Sequence, residues 1–214
     1  MTNQTLATMK TIKDIIGAGE YKADPAVRKF KSTCTPEQFK DTFLTAAKAK
    51  MFGAPFMVDS DNKDVINQLY YYLVGHPEFK GDPRKGVLLL GTIGCGKTVI
   101  MESFIEVFNE TAGKIITNIH SKNISRIITD NDVGYLNKRP LFVDDIGKEQ
   151  EAIKHYGTVI KPLEDVISER YKKYALTFGT SNYKLEDLPY STHTVDRMKQ
   201  MFNIMVLTGK SRRV

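Results

Sequence analysis

Tryptophan is missing from the 214 residues, and cysteine occurs only at Cys34 and Cys95. The two thiols lie far apart in sequence and Cys95 sits inside a glycine-rich turn, so no disulfide framework is expected and a reducing compartment fits better. Long apolar runs are also lacking. None approaches the roughly 20 residues of a membrane span, and the polar start Met1-Thr2-Asn3-Gln4-Thr5 is unlike a signal peptide. A cytoplasmic protein with no membrane partner is expected. Internal repeats and low-complexity blocks are absent too, which excludes solenoid and fibrous architectures.

Charge is in excess on one side. Thirty-one Lys and Arg against 25 Asp and Glu leave +6, with a pI near 9.1. That balance suits a polyanionic partner or a nucleotide, although the lysines are scattered rather than gathered in one block. A chain of this length accommodates one α/β domain with an extension and needs no covalent staple.

The organising stretch is Val87-Leu88-Leu89-Leu90-Gly91-Thr92-Ile93-Gly94-Cys95-Gly96-Lys97-Thr98. A short apolar strand runs directly into G-x-x-x-x-G-K-T, the phosphate-binding P-loop pattern, and Val99 to Ile105 reads as the helix that follows. Glycines let consecutive N–H groups of residues 91–99 turn inward onto phosphate oxygens, and the helix N-terminus adds its dipole. Lys97 is expected to reach the β- and γ-phosphates of ATP, and Thr98 to ligate Mg²⁺. Cys95, within the loop, is expected to be open to alkylation that ATP would block.

Around this stretch the signals alternate. Residues 1–33 show little periodicity and read as an arm. Thr35, Pro36 and Gln38 form a capping box opening a helix to about Phe52, with Phe39, Phe43, Ala46, Ala47 and Met51 as its apolar stripe. Asp61-Asn62 caps a second helix carrying Val65, Ile66, Leu69, Tyr70 and Leu73. Tyr70-Tyr71-Tyr72 cannot form one stacking platform, because three successive helical residues point three ways. Lys114–Thr117 reads as a strand, Ser121 as the cap of a helix with Ile124, Ile127 and Ile128, and residues 141–145 as a buried strand ending in Asp144 and Asp145. A long helical pattern spans about Glu149 to Lys172, kinked at Pro162. Residues 175–182 form a strand ending in Thr180-Ser181-Asn182, then a helix covers Thr194–Met201 and a last strand Asn203–Leu207. Five strands alternating with helices predict an α/β fold: a mainly parallel sheet sandwiched between helical layers.

In such a sheet, ligands bind beyond the carboxyl ends of the strands. The P-loop, Asp144-Asp145 and Thr180-Ser181-Asn182 should therefore meet in one crevice. Asp144 stands where P-loop NTPases place the Mg²⁺ carboxylate; Asp145 is poised to orient or deprotonate the attacking water; Asn182 can hydrogen-bond γ-phosphate and water together. Lys122 and Arg126, with His120 beside them, are candidates for DNA backbone contact.

The order of P-loop, Asp-Asp-Ile-Gly, Thr-Ser-Asn, a late Arg and a terminal Gly-x-Ser-x-Arg resembles the AAA+ ATPases of the bacterial helicase-loader family, the DnaC- and DnaI-like proteins, and the related IstB-type transposition helpers. The resemblance covers roughly residues 80–214. It implies that Asp144 is the Walker B carboxylate, that Asp145 occupies the place of the usual catalytic Glu, and that Asn182 is the sensor-1 residue. It further implies that Arg197, in Val195-Asp196-Arg197-Met198, is an arginine finger acting on a neighbouring protomer, so that the protein self-associates. Arg213 matches the last Arg of the terminal motif. Residues 81–214 would be the AAA+ core without a carboxy-terminal lid domain, and residues 1–80 a helical, partner-binding extension. Loading of a replicative helicase on single-stranded DNA is the function so implied. The alternatives are a transposase helper acting on duplex DNA and, from another class, a small-molecule P-loop kinase. Two departures stand out: Asp rather than Glu at position 145, and an amino-terminal third without the Cys/His cluster of some loaders.

Overall fold

A computed structural model describes residues 30–131, 136–137, 139–149, 152–155 and 158–212. The elements in chain order are α1 (Pro36–Lys50), α2 (Lys63–Val74), β1 (Gly86–Gly91), α3 (Lys97–Thr111), β2 (Thr117–His120), α4 (Ile124–Asn131), β3 (Leu141–Ile146), β4 (Ile153–His155), β5 (Thr158–Ile160), α5 (Pro162–Lys172), β6 (Thr177–Ser181), α6 (Thr192–Met201) and β7 (Phe202–Leu207). Five strands form one sheet in the order β2-β3-β6-β1-β7, and every pairing within it is parallel.

Period-two alternation splits each central strand between two cores. Val87 and Leu89 of β1 face one cluster with Phe142, Phe178 and the helices α1, α2 and α3, whereas Leu88 and Leu90 face the other with Val143, Val166, Ile167 and Met198. The result is a three-layer sandwich, as the alternating pattern predicts. Fully buried Tyr72 sits in the first cluster beside Phe30, Phe104 and Phe178, its hydroxyl donating to the Lys85 carbonyl at 2.8 Å. Tyr70 packs edge-on to Phe39, and Tyr71 stacks on His76. The three tyrosines do point three ways.

The Thr35 capping box forms, with the Gln38 N–H donating to Thr35 Oγ1 at 3.2 Å and the Thr35 N–H to Gln38 Oε1 at 3.0 Å. Phe39, Phe43 and Ala47 bury the stripe of α1 against the P-loop helix layer. Both cysteines are free. Among the described residues no helix is long and apolar enough to cross a membrane. The expected arm lies outside the described residues up to position 29.

Three local expectations need correction. The long helix from Glu149 is instead the antiparallel pair β4–β5 followed by α5. Pro162 does not kink a helix; it starts one, because a residue without an N–H is cheapest at the first helical position. The second strand runs over Thr117–His120 rather than Lys114–Thr117, since Thr117 is the residue in register with Leu141, and Ile115 is left exposed. Ser121 does not cap the next helical segment. His120 Nδ1 accepts from the Lys122 N–H at 3.2 Å, and the Ser121 hydroxyl donates to the Asp145 carbonyl at 2.8 Å.

Arg170 closes the amino-terminal end of the sheet and was not singled out by the sequence. It is fully buried, and its guanidinium donates to Thr177 Oγ1 (2.9 Å), to the carbonyls of Arg139 (3.1 Å) and Leu176 (2.6 Å), and to that of Leu136. Burial pulls its pKa down to about 10. Those four acceptors tie α5, β6 and the residues leading into β3 together.

Candidate nucleotide site

The site grows from the carboxyl ends of β1, β3 and β6, adjacent strands of the sheet. Gly94 and Gly96 take φ of 82° and 104°, backbone states that side-chain-bearing residues rarely adopt, and α3 begins at Lys97 immediately after. The P-loop spacing is thus realised as a tight turn into a helix. The Lys97 ammonium donates to the carbonyls of Gly91 (2.9 Å) and Thr92 (2.8 Å) and to Asn182 Oδ1 (2.8 Å). Burial draws its pKa below the usual lysine range, opposed by the negative charges around it, Asp145 and Asp144 among them. Thr92 and Ile93 are exposed at the loop tip, Gly91, Val99 and Thr98 are half-buried, and Cys95 is fully buried. The expectation of an accessible Cys95 is therefore overturned: its thiol points inward, and a Cβ on Gly91 would stand 3.0 Å from it.

Asp144 Oδ1 accepts from the Thr98 hydroxyl at 2.9 Å and from the Thr180 hydroxyl at 2.6 Å. Successive strand residues normally face opposite sides of a sheet. Here the β3–β6 register shifts between Val143 and Ile146, and Asp145 takes φ of 61°. The bulge turns both carboxylates to the same end of the strand, a device common beside active sites. Its backbone is pinned from both sides: the Asp145 N–H donates to Thr180 Oγ1 (2.9 Å), and the Asp145 carbonyl accepts from Ser121. The Asp145 side chain accepts from Asn182 Nδ2. Left-handed backbone is tolerated by Asp far better than by longer side chains, which accounts for Asp where the resemblance leads one to expect Glu.

The structure thus brings Lys97, Thr98, Asp144, Asp145 and Asn182 together. Thr180 joins them, as expected of the Thr180-Ser181-Asn182 strand end, while Ser121, expected only as a helix cap, belongs to the same network, because a hydroxyl's partner is set by register and not by spacing along the chain. Thr98 and Asp144 offer a hydroxyl and a carboxylate at one point, an oxygen pair suited to Mg²⁺. Among the described residues no cluster of three or more His, Cys, Asp or Glu forms, and Mg²⁺ carried by phosphates and water does not require one.

Other candidates lie apart. Arg197, half-buried on α6, donates to Ser168 Oγ at 2.6 Å and lies over the Tyr171 ring. Lys122 and Arg126 are exposed, one turn apart, beyond β2. Arg213 lies outside the described residues. Its neighbour Arg212 was not singled out, yet both its terminal nitrogens bond Asp59, whose carboxyl this guanidinium holds below the usual range.

No family model matches this sequence, and no curated relative does. Solved structures do. A DnaI structure is 18% identical with a TM-score of 0.56, covering 81% of this chain and 93% of its own. The DnaC helicase loader is 19% identical with a TM-score of 0.54, over 78% and 98%. The replication initiator DnaA bound to AMPPCP and single-stranded DNA is 13% identical with a TM-score of 0.54, over 72% and 49%. The chain shares its fold, a parallel sheet with the P-loop turn at its carboxyl end, with the DnaI and DnaC structures.

Proposed function

We propose that this protein is a Mg²⁺-dependent ATPase that oligomerises, contacts single-stranded DNA and loads a replicative helicase. The observation that carries the reading is the convergence of Lys97, Thr98, Asp144, Asp145 and Asn182 at one end of one parallel sheet. The P-loop N–H groups and Lys97 bind the phosphates of ATP. Thr98 and Asp144 hold Mg²⁺, which supplies neutralisation of charge on the transferring phosphoryl group. Asp145 orients the attacking water and accepts its proton, and the αL backbone fixes where that carboxylate stands. Asn182, bonded to both Lys97 and Asp145, senses whether a γ-phosphate is present.

Arg197 reaches a neighbouring protomer's nucleotide as an arginine finger, which makes the site complete only in the oligomer; Arg213 adds a further contact to the nucleotide. Similarity in fold to a helicase loader and to a DnaA bound to single-stranded DNA supports the partner class. The net charge of +6 and the exposure of Lys122 and Arg126 fit a phosphate-backbone contact. Residues 81–214 carry the ATPase groups, α1 and α2 pack into one core with them, and residues 1–80 present the helicase contact on their outer face.

The test is binding of the purified chain, with Mg·ATP, to fluorescent single-stranded DNA and to the replicative helicase of its own genome. Binding to both is expected. Binding to neither rejects the loader reading, and preference for duplex DNA together with a transposase favours the transposition helper. Mixing Arg197→Ala with Lys97→Ala chains should recover hydrolysis at mixed interfaces, and no recovery at any ratio rejects the trans finger.

A further inference from the structure

The residues after β7 turn back over the P-loop. The Arg212 N–H donates to the Gly94 carbonyl at 2.9 Å, and the Thr92 hydroxyl donates to the Gly209 carbonyl at 3.1 Å. Gly94 is approached so closely that a Cβ on it would stand 2.3 Å from the Ser211 hydroxyl oxygen. From there the Arg212 side chain reaches the loop ahead of α2. Nη1 donates to Asp59 Oδ2 at 2.6 Å and Nη2 to Asp59 Oδ1 at 2.9 Å, with Asp61 3.7 Å away.

That loop is itself anchored. Buried Asn62 accepts from the Asp59 N–H at 3.0 Å and donates to the Met57 carbonyl at 2.9 Å, and Asp59 Oδ1 accepts from the Asp61 N–H at 3.0 Å. A two-pronged ion pair joins this loop to the tail, and two hydrogen bonds join the tail to the P-loop, three segments far apart in sequence. Such a pair is the strong, directional kind, while its partial exposure, 28% for Arg212 and 40% for Asp59, leaves it open to competition from salt. The Arg212 Nε is buried without an acceptor among the described residues, so the carboxylates of the 57–62 loop hold the guanidinium from one side.

We propose that the Asp59–Arg212 pair is a latch that holds the tail against Gly94 and Thr92 and so keeps the P-loop in the shape that receives a nucleoside polyphosphate. The inference rests on the reading of the P-loop as a nucleotide site. Arg212 is a positioning residue: its side chain fixes its own backbone, and that backbone braces the loop at Gly94. The latch therefore sets nucleotide affinity and leaves bond cleavage to Asp145 and Asn182.

The test compares Arg212→Ala, Asp59→Ala and the exchanged pair Asp59→Arg with Arg212→Asp in the full chain. A fluorescent ATP analogue reports affinity, steady-state phosphate release reports KM and kcat, and far-ultraviolet circular dichroism reports folding. Each single variant should bind roughly 5- to 20-fold more weakly with KM raised alike and kcat at saturation retained. The exchanged pair should recover affinity, and high salt should weaken the parent more than the single variants, which already lack the pair. Single variants that bind like the parent, lose kcat at unchanged KM, or lose affinity only in step with folded signal overturn the latch. A parent chain that binds no ATP overturns the nucleotide reading, and the latch with it.

Discussion

Asn182 Oδ1 lies 2.8 Å from the Lys97 ammonium, and the same amide donates from Nδ2 to Asp145, so one side chain couples the P-loop lysine to the candidate base. Cutting that link should separate binding from turnover. Asn182→Ala is expected to leave ATP affinity within about tenfold of the parent and to lower kcat by about 10²-fold, the usual scale for removing one aligned hydrogen-bond donor from a reacting centre. Nucleotide titration and phosphate release on the same preparation check it.

Asp145 combines a candidate catalytic carboxylate with φ of 61°. Asn tolerates that backbone as well as Asp does, so Asp145→Asn should melt like the parent while its turnover drops by about 10²- to 10⁴-fold. Asp145→Glu keeps the charge but suffers the left-handed strain, and is expected to be destabilised by about 1 kcal/mol. Thermal melts of the two variants beside their rates distinguish a chemical role from a conformational one.

Glu164 carries a pH dependence. It is almost buried at the start of α5 and accepts from the Ser191 hydroxyl (2.5 Å) and N–H (3.1 Å), from the Thr194 hydroxyl (2.7 Å) and from Lys161 (3.0 Å), which docks the first turn of α6. Burial would raise its pKa, but these bonds to the charged form outweigh it and bring the pKa down to about 2. A folded pKa below the unfolded one means that the stabilisation is complete above about pH 5 and is lost as pH falls towards 2. Glu164→Gln should cost roughly 1–2 kcal/mol at neutral pH and little at pH 2, as read by urea unfolding at both pH values.

Cys95 is expected to resist iodoacetamide in the folded chain, with or without ATP, and to react in denaturant, because its side chain is fully buried. Peptide mass analysis after a short pulse checks this. Rapid labelling in the native state would mean that the loop opens often.

What could be read from the chain alone was what depends on short spacing. The P-loop, the Thr35 capping box and the short apolar run of β1 are local patterns, and each formed where expected. Residues 149–161 misled because Ile153, Val159 and Ile160 fall in phase with Leu163 on a helical repeat, while β-branched residues ahead of Pro162 equally suit a strand pair. The rest is long-range. The role of Thr180 depends on β6 lying beside β3, the burial of Arg170 on carbonyls from Leu136 to Leu176, and the pairing of Arg212 on an aspartate 153 positions away. None of these partners can be inferred before the strand order is known.

The central claim is that the crevice joining Lys97, Thr98, Asp144, Asp145 and Asn182 hydrolyses ATP. Steady-state phosphate release from Mg·ATP by the parent chain and by Lys97→Ala tests it most directly. Measurable turnover by the parent and background release by Lys97→Ala are expected; equal rates in the two, or no ATP turnover by the parent at any protein concentration, would show that this crevice does not hydrolyse ATP.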